Sequence, residues 1–195
     1  MIAAVILAAG ASSRMGAIKA LLALDGETLV ARVVRLAREG GAEEVIAVLG
    51  PPHGERIAAA LPAGLTVAWN SDPSRGMLSS VQAALPGLLG LPRPATGALI
   101  WPVDVPLVAP LTVQRLLAAE LTRLTAPCYQ DRGGHPLWLP AALFAEVLAL
   151  APTASLRQLR QKHPMVRLPV DDPGVLRDLD TPAEFARALA EQLTR

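Results

Sequence analysis

The sequence predicts a doubly wound α/β fold, with a mixed, mostly parallel sheet between two layers of helices. Three observations lead there. Short apolar runs alternate with segments of helical period along the chain. The first runs are nearly all apolar rather than alternating, as in strands buried on both faces. Polar, glycine-rich loops follow several of the strands, where folds of this class gather ligands.

The elements follow in order. Ile2–Ala8 is a strand, and Gly10–Gly16 a loop. Glu27–Glu39 has apolar residues at Leu29, Val33, Val34, Leu36 and Ala37, a helical period closed by Gly40 and Gly41. Val45–Leu49 is a second buried strand, Glu55–Leu61 a helix and Leu65–Trp69 a third strand. Asn70–Gly76 is rich in turn formers. Leu78–Leu89 predicts a helix, with a possible break at Pro86. Ala98–Val103 is a fourth strand, ending at Asp104. Leu111–Leu124 predicts a helix, with Pro110 suited to its first turn. Ala126–Gln130 and Leu137–Leu139 are strands around a Gly133–Gly134 turn. Ala141–Leu150 and Leu156–Gln161 are helical. Val166–Val170 and Leu176–Leu179 are short strands, and Pro182–Leu193 is a closing helix capped by Thr181. The interrupted later section predicts an antiparallel or mixed edge. No repeat or linker divides the chain, so residues 1–195 are read as one domain.

Composition narrows the function. Apolar residues make up 52% of the 195, which excludes a disordered chain. A net charge of +1 with scattered basic residues argues against a nucleic-acid binder. Cys128 is the single cysteine, so neither an intramolecular disulfide nor a cysteine zinc site can form within the chain. Met1–Ala9 is apolar but lacks a basic start and runs into a Gly/Ser loop, so it reads as a strand rather than a signal peptide. No apolar run is long enough to span a bilayer, and the expected compartment is the cytoplasm.

The loop after the first strand carries two glycines, two serines and two cations between Ala9 and Lys19. Glycines let backbone N–H groups approach a phosphate, and Arg14 and Lys19 can neutralise a triphosphate. An ordinary Gly/Ser turn with solvated cations is the competing reading, and generic chemistry leaves both open. The dinucleotide fingerprint is excluded because the second glycine is missing, and the Walker loop because Ala17 follows Gly16.

Leu7-Ala8-Ala9-Gly10-Ala11-Ser12-Ser13-Arg14-Met15-Gly16, followed by Lys19 and Leu21-Leu22, resembles the signature L-A-A/G-G-x-S-x-R-M-G-x-x-K-x-L-L without a gap. That signature belongs to the molybdenum cofactor nucleotidylyltransferase family of the NTP-transferase superfamily. The resemblance implies a Rossmann-like fold of the nucleotide-diphospho-sugar transferase kind. It also implies a loop that wraps NTP phosphates, contacted by Arg14 and Lys19.

The other strand ends extend the resemblance from Ile6 to Glu184. Asn70-Ser71-Asp72-Pro73-Ser74-Arg75-Gly76-Met77-Leu78-Ser79-Ser80-Val81 is a polar loop entering a helix, whose free N–H groups suit an anion or a base edge. It is similar to the family's N-x-x-x-x-x-G-M-x-x-S-L/V segment near base and sugar, with Leu78 where related cytidylyltransferases often carry Ser. Asp104 ends an apolar strand between two prolines, where a lone carboxylate needs a cation or a cap partner. Its segment resembles G-D-x-P-L/M, whose Asp binds the catalytic metal, although Pro102 departs from the usual Gly-like residue. Asp178-Leu179-Asp180-Thr181-Pro182-Ala183-Glu184 resembles D-I/L-D-T-P-E-D. At strand spacing Asp178 and Asp180 point to opposite faces, and the resemblance selects Asp180 as the second metal ligand. Gly134-His135-Pro136 resembles the G-N/H-P turn on the acceptor side, which makes His135 an acceptor-pocket candidate. Trp69, Trp101 and Trp138 read as core or strand-edge residues.

The resemblance thus implies a Mg²⁺-dependent transfer of NMP from an NTP to a phosphorylated small molecule. Arg14, Lys19 and Asp104 are the expected catalytic residues, and Asp104 and Asp180 the metal ligands. Leu7, Ala8, Ala9, Gly10, Ser12, Arg14, Met15, Gly16, Lys19, Asn70, Gly76, Met77, Ser79 and Ser80 are expected at the nucleotide. Ala9, with no Asp before Lys19, is nearest the cytidylyl-transferring branch. CTP is therefore expected over GTP, with molybdopterin as acceptor and a molybdoenzyme as possible recipient. No nucleic acid or membrane partner is expected. Sugar-1-phosphate nucleotidylyltransferases and a non-catalytic nucleotide-binding or cofactor-chaperone domain are the alternatives.

Overall fold

The computed structural model describes residues 1–119 and 121–192. Its main sheet holds β1 (Ile2–Leu7), β4 (Glu44–Leu49), β5 (Thr66–Trp69), β6 (Gly97–Pro102), β7 (Thr125–Tyr129), β8 (Arg132–Gly133), β9 (Leu137–Pro140) and β10 (Val166–Pro169). The order is β10-β7-β9-β6-β1-β4-β5, with β8 on β7. A small hairpin, β2 (Ala23–Leu24) with β3 (Glu27–Thr28), stands apart. The helices are α1 (Leu29–Gly40), α2 (Gly54–Ala58), α3 (Met77–Leu89), α4 (Pro110–Leu117), α5 (Phe144–Ala149), α6 (Leu156–Lys162) and α7 (Pro182–Gln192). The mostly parallel α/β fold is the expected one.

Strand periodicity explains the layers. Ala4 and Ile6 of β1 pack in one core with Leu29, Val33, Val113 and Leu116 of α1 and α4. Ala3 and Val5 pack in the other with Leu78, Val81, Leu85 and Phe144 of α3 and α5. Alternate residues of β4 and β6 divide the same way, so these continuous apolar runs serve two faces at once. Trp101 and Trp138 are fully buried, with indole N–H groups donated to the carbonyls of Val105 and Leu121 at 2.9 Å. Trp69, on edge strand β5, is half exposed.

Parallel β4 and β6 flank β1. The chain leaves β1 toward β4 and β5, then returns to the other side for β6. Order therefore reverses beside β1, and a crevice opens at the carboxyl ends of β1 and β6.

Several elements depart from expectation. The first helix starts at Leu29, because Glu27 and Thr28 pair with Leu24 and Ala23; Thr28 then caps it by accepting the Ala31 N–H at 3.3 Å. α3 runs unbroken through Pro86. α4 stops at Leu117, since the chain must turn back to start β7, and the Leu121 carbonyl is taken by Trp138. The β7–β8 turn is Gln130–Asp131, both with left-handed φ, rather than Gly133–Gly134. Gly134 serves close approach instead: a Cβ there would lie 2.3 Å from the Val175 carbonyl oxygen. The later section forms the mixed end of the sheet, as expected: β9 runs antiparallel between β6 and β7, and β10 closes the edge parallel to β7.

Leu176–Leu179 is not a strand. Pro173–Leu176 forms a 3₁₀ turn, and Arg177–Asp180 follow without regular structure. The reason is Asp172, whose Oδ1 accepts the Gly174 N–H at 2.9 Å and starts the turn. Of the last helix, Leu193 lies outside the described residues.

Candidate active site

Three strand ends build one cleft of about 220 Å³. Leu7, Ala8, Ala9, Gly10, Ser12 and Lys19 come from β1 and its loop, and Pro102, Val103 and Asp104 from β6. Gly76, Met77 and Ser80 come from the start of α3. Ten of the expected residues thus share one wall-to-wall space. Ala20, Ile57 and Pro73, none of them a named site candidate, complete the lining.

The β1 loop is shaped by local bonds. Ser12 takes a left-handed φ of 54°, and its Oγ accepts the Lys19 backbone N–H at 3.0 Å. This bond closes the loop and turns the Lys19 side chain inward, where only 12% of it is exposed. Met15 is buried, and its N–H donates to the Ser12 carbonyl at 3.0 Å, while Gly16, at φ 68°, lines a neighbouring depression with Ser12 and Ser13.

At the cleft mouth the charged residues converge. The Lys19 ammonium donates to Asp104 Oδ2 at 2.9 Å and to Asp180 Oδ1. Arg14, largely exposed, donates from Nη2 to Asp180 Oδ2 at 2.7 Å. Burial works to lower the Lys19 pKa, but the hydrogen bonds and charges of Asp180 and Asp104 outweigh it, and the net direction is up. Asp180 is held below the usual carboxylate range, first by the Lys19 hydrogen bond and then by the Lys19 and Arg14 charges against an opposing burial effect.

The backbone fixes both carboxylates. The Asp104 carbonyl accepts the Leu179 N–H at 2.8 Å, which joins the two segments. Glu184 Oε2 accepts the N–H groups of Asp180 and Thr181 at 3.0 and 2.9 Å, and Thr181 Oγ1 accepts the Glu184 N–H at 3.3 Å, a capping box at the start of α7. Without a strand, Asp178 and Asp180 do not alternate across a sheet. Burial pushes the Asp178 carboxyl up, and the charges of Asp104 and Asp180 add to it, so Asp178 feels the same cluster.

One positioning residue was missed by sequence reasoning. Asp172 Oδ2 accepts from the Ala109 N–H at 2.8 Å and the Thr112 hydroxyl at 2.7 Å. Asp172 is buried and ties the segment leading to Asp180 onto the start of α4. Its only sequence signal is an Asp before Pro173.

Gly76, with φ 88°, starts α3 without a side-chain cap, and Gly76 and Met77 at that start line the cleft. Asn70 and Ser79 stand behind this wall. Asn70 Nδ2 donates to Ser79 Oγ and Ser80 Oγ, both at 2.9 Å, and its Oδ1 accepts the Asp72 N–H at 3.0 Å. His135 lies outside the cleft lining. Its N–H donates to the Val175 carbonyl at 2.9 Å, and its enclosed Nδ1 has no hydrogen-bond partner among the described residues. Burial pushes its imidazole pKa down, with the charge of Asp104 opposing. No helix among the described residues is long and apolar enough to cross a membrane.

The chain is 33% identical to a nicotine blue oxidoreductase of Paenarthrobacter nicotinovorans over 197 residues, 95% of each protein. It is 28% identical to a molybdenum cofactor guanylyltransferase of Xanthomonas euvesicatoria over 96% of this chain and 94% of that one. An Escherichia coli molybdenum cofactor cytidylyltransferase is 23% identical over 94% of this chain and 93% of the relative. The chain spans only 28% of the bifunctional protein GlmU of Halorhodospira halophila, which it matches at 37% identity over 69% of its own length. Among solved structures, Rv0371c of Mycobacterium tuberculosis superposes with a TM-score of 0.84 at 33% identity over 97% of both chains. A manganese complex of Rv0371c superposes at 0.80 with 30% identity, covering 97% of this chain and 98% of that one. The family model for the MobA-like NTP transferase domain matches residues 4–167, and the chain belongs to that family of nucleotidyltransferases.

Proposed function

We propose that this chain, acting as one NTP-transferase domain over residues 1–195, moves NMP from CTP to the phosphate of molybdopterin and releases pyrophosphate. The observation that carries the reading is the meeting of Lys19, Asp104 and Asp180 at the mouth of a cleft lined by the glycine loop. The acceptor rests on the names of the guanylyl- and cytidylyltransferase relatives. The preference for CTP rests on Ala9 and the absence of an Asp before Lys19.

The donor set suits a hard divalent cation. Asp104 and Asp180 supply oxygens from two segments toward one cationic centre, and no third His, Cys, Asp or Glu joins them in a metal-binding group among the described residues. Mg²⁺ takes one or two carboxylates and completes its shell with phosphate oxygens and water. When bound, it supplies charge neutralisation at the phosphates.

The rest is positioning by the chain. N–H groups of the Ala9–Gly10 loop and of the α3 start hold phosphate oxygens, and Lys19 and Arg14 neutralise the group in transfer. An acceptor phosphate oxygen forms a bond to the α-phosphorus as the bond to the bridging oxygen breaks, and pyrophosphate leaves with the electron pair. The attacking oxygen is already an anion, so no general base is required. Transfer takes place in the cytoplasm, with a molybdoenzyme as recipient of the product.

Pyrophosphate release across the four NTPs, each with molybdopterin or a sugar 1-phosphate, tests the reading. Turnover with CTP and molybdopterin supports it. Turnover only with sugar phosphates overturns the acceptor. Absence of turnover with any pair overturns the activity, and would leave the oxidoreductase relative as the better guide.

A further inference from the structure

The proposed metal ligands already hold a cation. Lys19 Nζ bonds to Asp104 Oδ2 at 2.9 Å and also to Asp180 Oδ1, so one ammonium satisfies both carboxylates. Its side chain is mostly buried, and its backbone N–H is pinned by Ser12 Oγ at 3.0 Å. Arg14 occupies the other Asp180 oxygen at 2.7 Å. A divalent ion arriving alone therefore competes with Lys19 for both carboxylates and brings a second positive charge beside its largely buried ammonium, which is costly. An ion arriving with a triphosphate meets no such barrier, because the phosphates offer Lys19 and Arg14 new anionic partners as they release the carboxylates.

We infer that Lys19 is a tethered counter-ion that keeps the metal site closed until nucleotide arrives, so that metal and nucleotide bind with positive coupling. The inference rests on the proposed metal-dependent transfer. Lys19 has two successive sets of partners, the carboxylates in the free protein and the phosphates in the complex. The coupling is reciprocal, so metal must tighten nucleotide binding by the same factor that nucleotide tightens metal binding.

Two measurements on the full chain test this. Mn²⁺ binding is followed by electron paramagnetic resonance, with and without a non-hydrolysable CTP analogue, in the wild type and in Lys19→Met. The wild type is expected to bind Mn²⁺ at least about 10-fold more tightly with the analogue than without. Nucleotide-free Lys19→Met is expected to bind Mn²⁺ at least about 10-fold more tightly than nucleotide-free wild type, because the competing charge is gone. Equal nucleotide-free affinities would overturn the inference. The second measurement needs no variant. Lys19 and Lys162 are the only lysines, so ¹³C-lysine labelling gives two resolvable Cε signals. Mg²⁺ alone should leave the Lys19 signal in place, and Mg²⁺ with the analogue should move it; a shift with Mg²⁺ alone, at concentrations where nucleotide is absent, counts against the device. If Mn²⁺ with the analogue binds equally in Asp104→Asn and in the wild type, the metal-site reading itself has failed. If that arm behaves as expected and only the nucleotide-free arms do not, the failure belongs to the tethered counter-ion alone.

Discussion

Lys19 and Asp104 lie 85 positions apart in the chain and meet at 2.9 Å. The bond joins the loop after β1 to the end of β6, the two strands between which the sheet reverses its order. Asp104→Asn removes one of two carboxylates from this centre. Turnover with Mg²⁺ is expected to fall at least about 100-fold, with the fold retained by circular dichroism. Asp180→Asn should behave alike. Asp178→Asn should be milder, although Asp178 shares the field of the cluster. Near-normal kcat in a folded Asp104→Asn protein would remove Asp104 from the site.

On the proposed reaction, the loop from Ala9 to Lys19 should act more on the transition state than on the ground state, because charge moves toward the leaving pyrophosphate. Lys19→Ala is expected to lower kcat as well as weaken NTP binding. A solvated surface cation would change both by no more than about 0.5 kcal/mol. Arg14→Lys keeps the charge but loses the planar fork, so steady-state kinetics should register weaker NTP use despite an unchanged net charge.

Base choice is checked by competition between CTP and GTP. CTP is expected to have the higher kcat/KM, since a wrong base leaves polar groups of the site unpaired. A clear GTP preference would move the chain to the guanylyl-transferring side of its family.

Asp172 carries a stability prediction. Three donors, the Ala109 N–H, the Thr112 hydroxyl and the Gly174 N–H, end on its carboxylate. Asp172→Ala leaves them without an acceptor and should cost about 2–4 kcal/mol in urea denaturation. Because the same bonds position the segment leading to Asp180, kcat should fall even where the variant is fully folded. Unchanged stability would show that water replaces the carboxylate.

His135 makes stability depend on pH. Its pKa in the folded chain lies below 6.5, chiefly through burial, with Asp104 pulling upward and Arg160 downward. Between the two values the unfolded chain binds the proton and the folded chain does not. The contribution is intact above pH 6.5 and is lost as pH falls toward the folded-state value. Tm should therefore decline on the acid side of that point, and His135→Gln should flatten the decline in calorimetric scans. An identical pH profile in the variant would assign the decline to other groups.

Much of this was legible in one dimension. The two-faced apolar runs of β1, β4 and β6 announced a parallel sheet, because strands buried on both sides have no polar face to show. The loop from Ala9 to Lys19 stood out as a site candidate, since glycines and cations at a strand end are a local pattern, and the structure puts it in the cleft wall. Thr181 announced the start of α7 for the same reason, and the structure adds Glu184 to the cap. The chain from Thr125 to Asp180 was less readable. There the turn fell on Gln130–Asp131, while Gly133 paired with Cys128 in the sheet and Gly134 was claimed by its approach to Val175. Asp180 reached Lys19 only because Asp172 bent the backbone into a turn against α4, a bond between residues 60 positions apart. Local patterns determined the central strands β1, β4 and β6. Tertiary contacts alone decided that Lys19, Asp104 and Asp180 share one bond network, because that depends on how the sheet is ordered and not on any spacing along the chain.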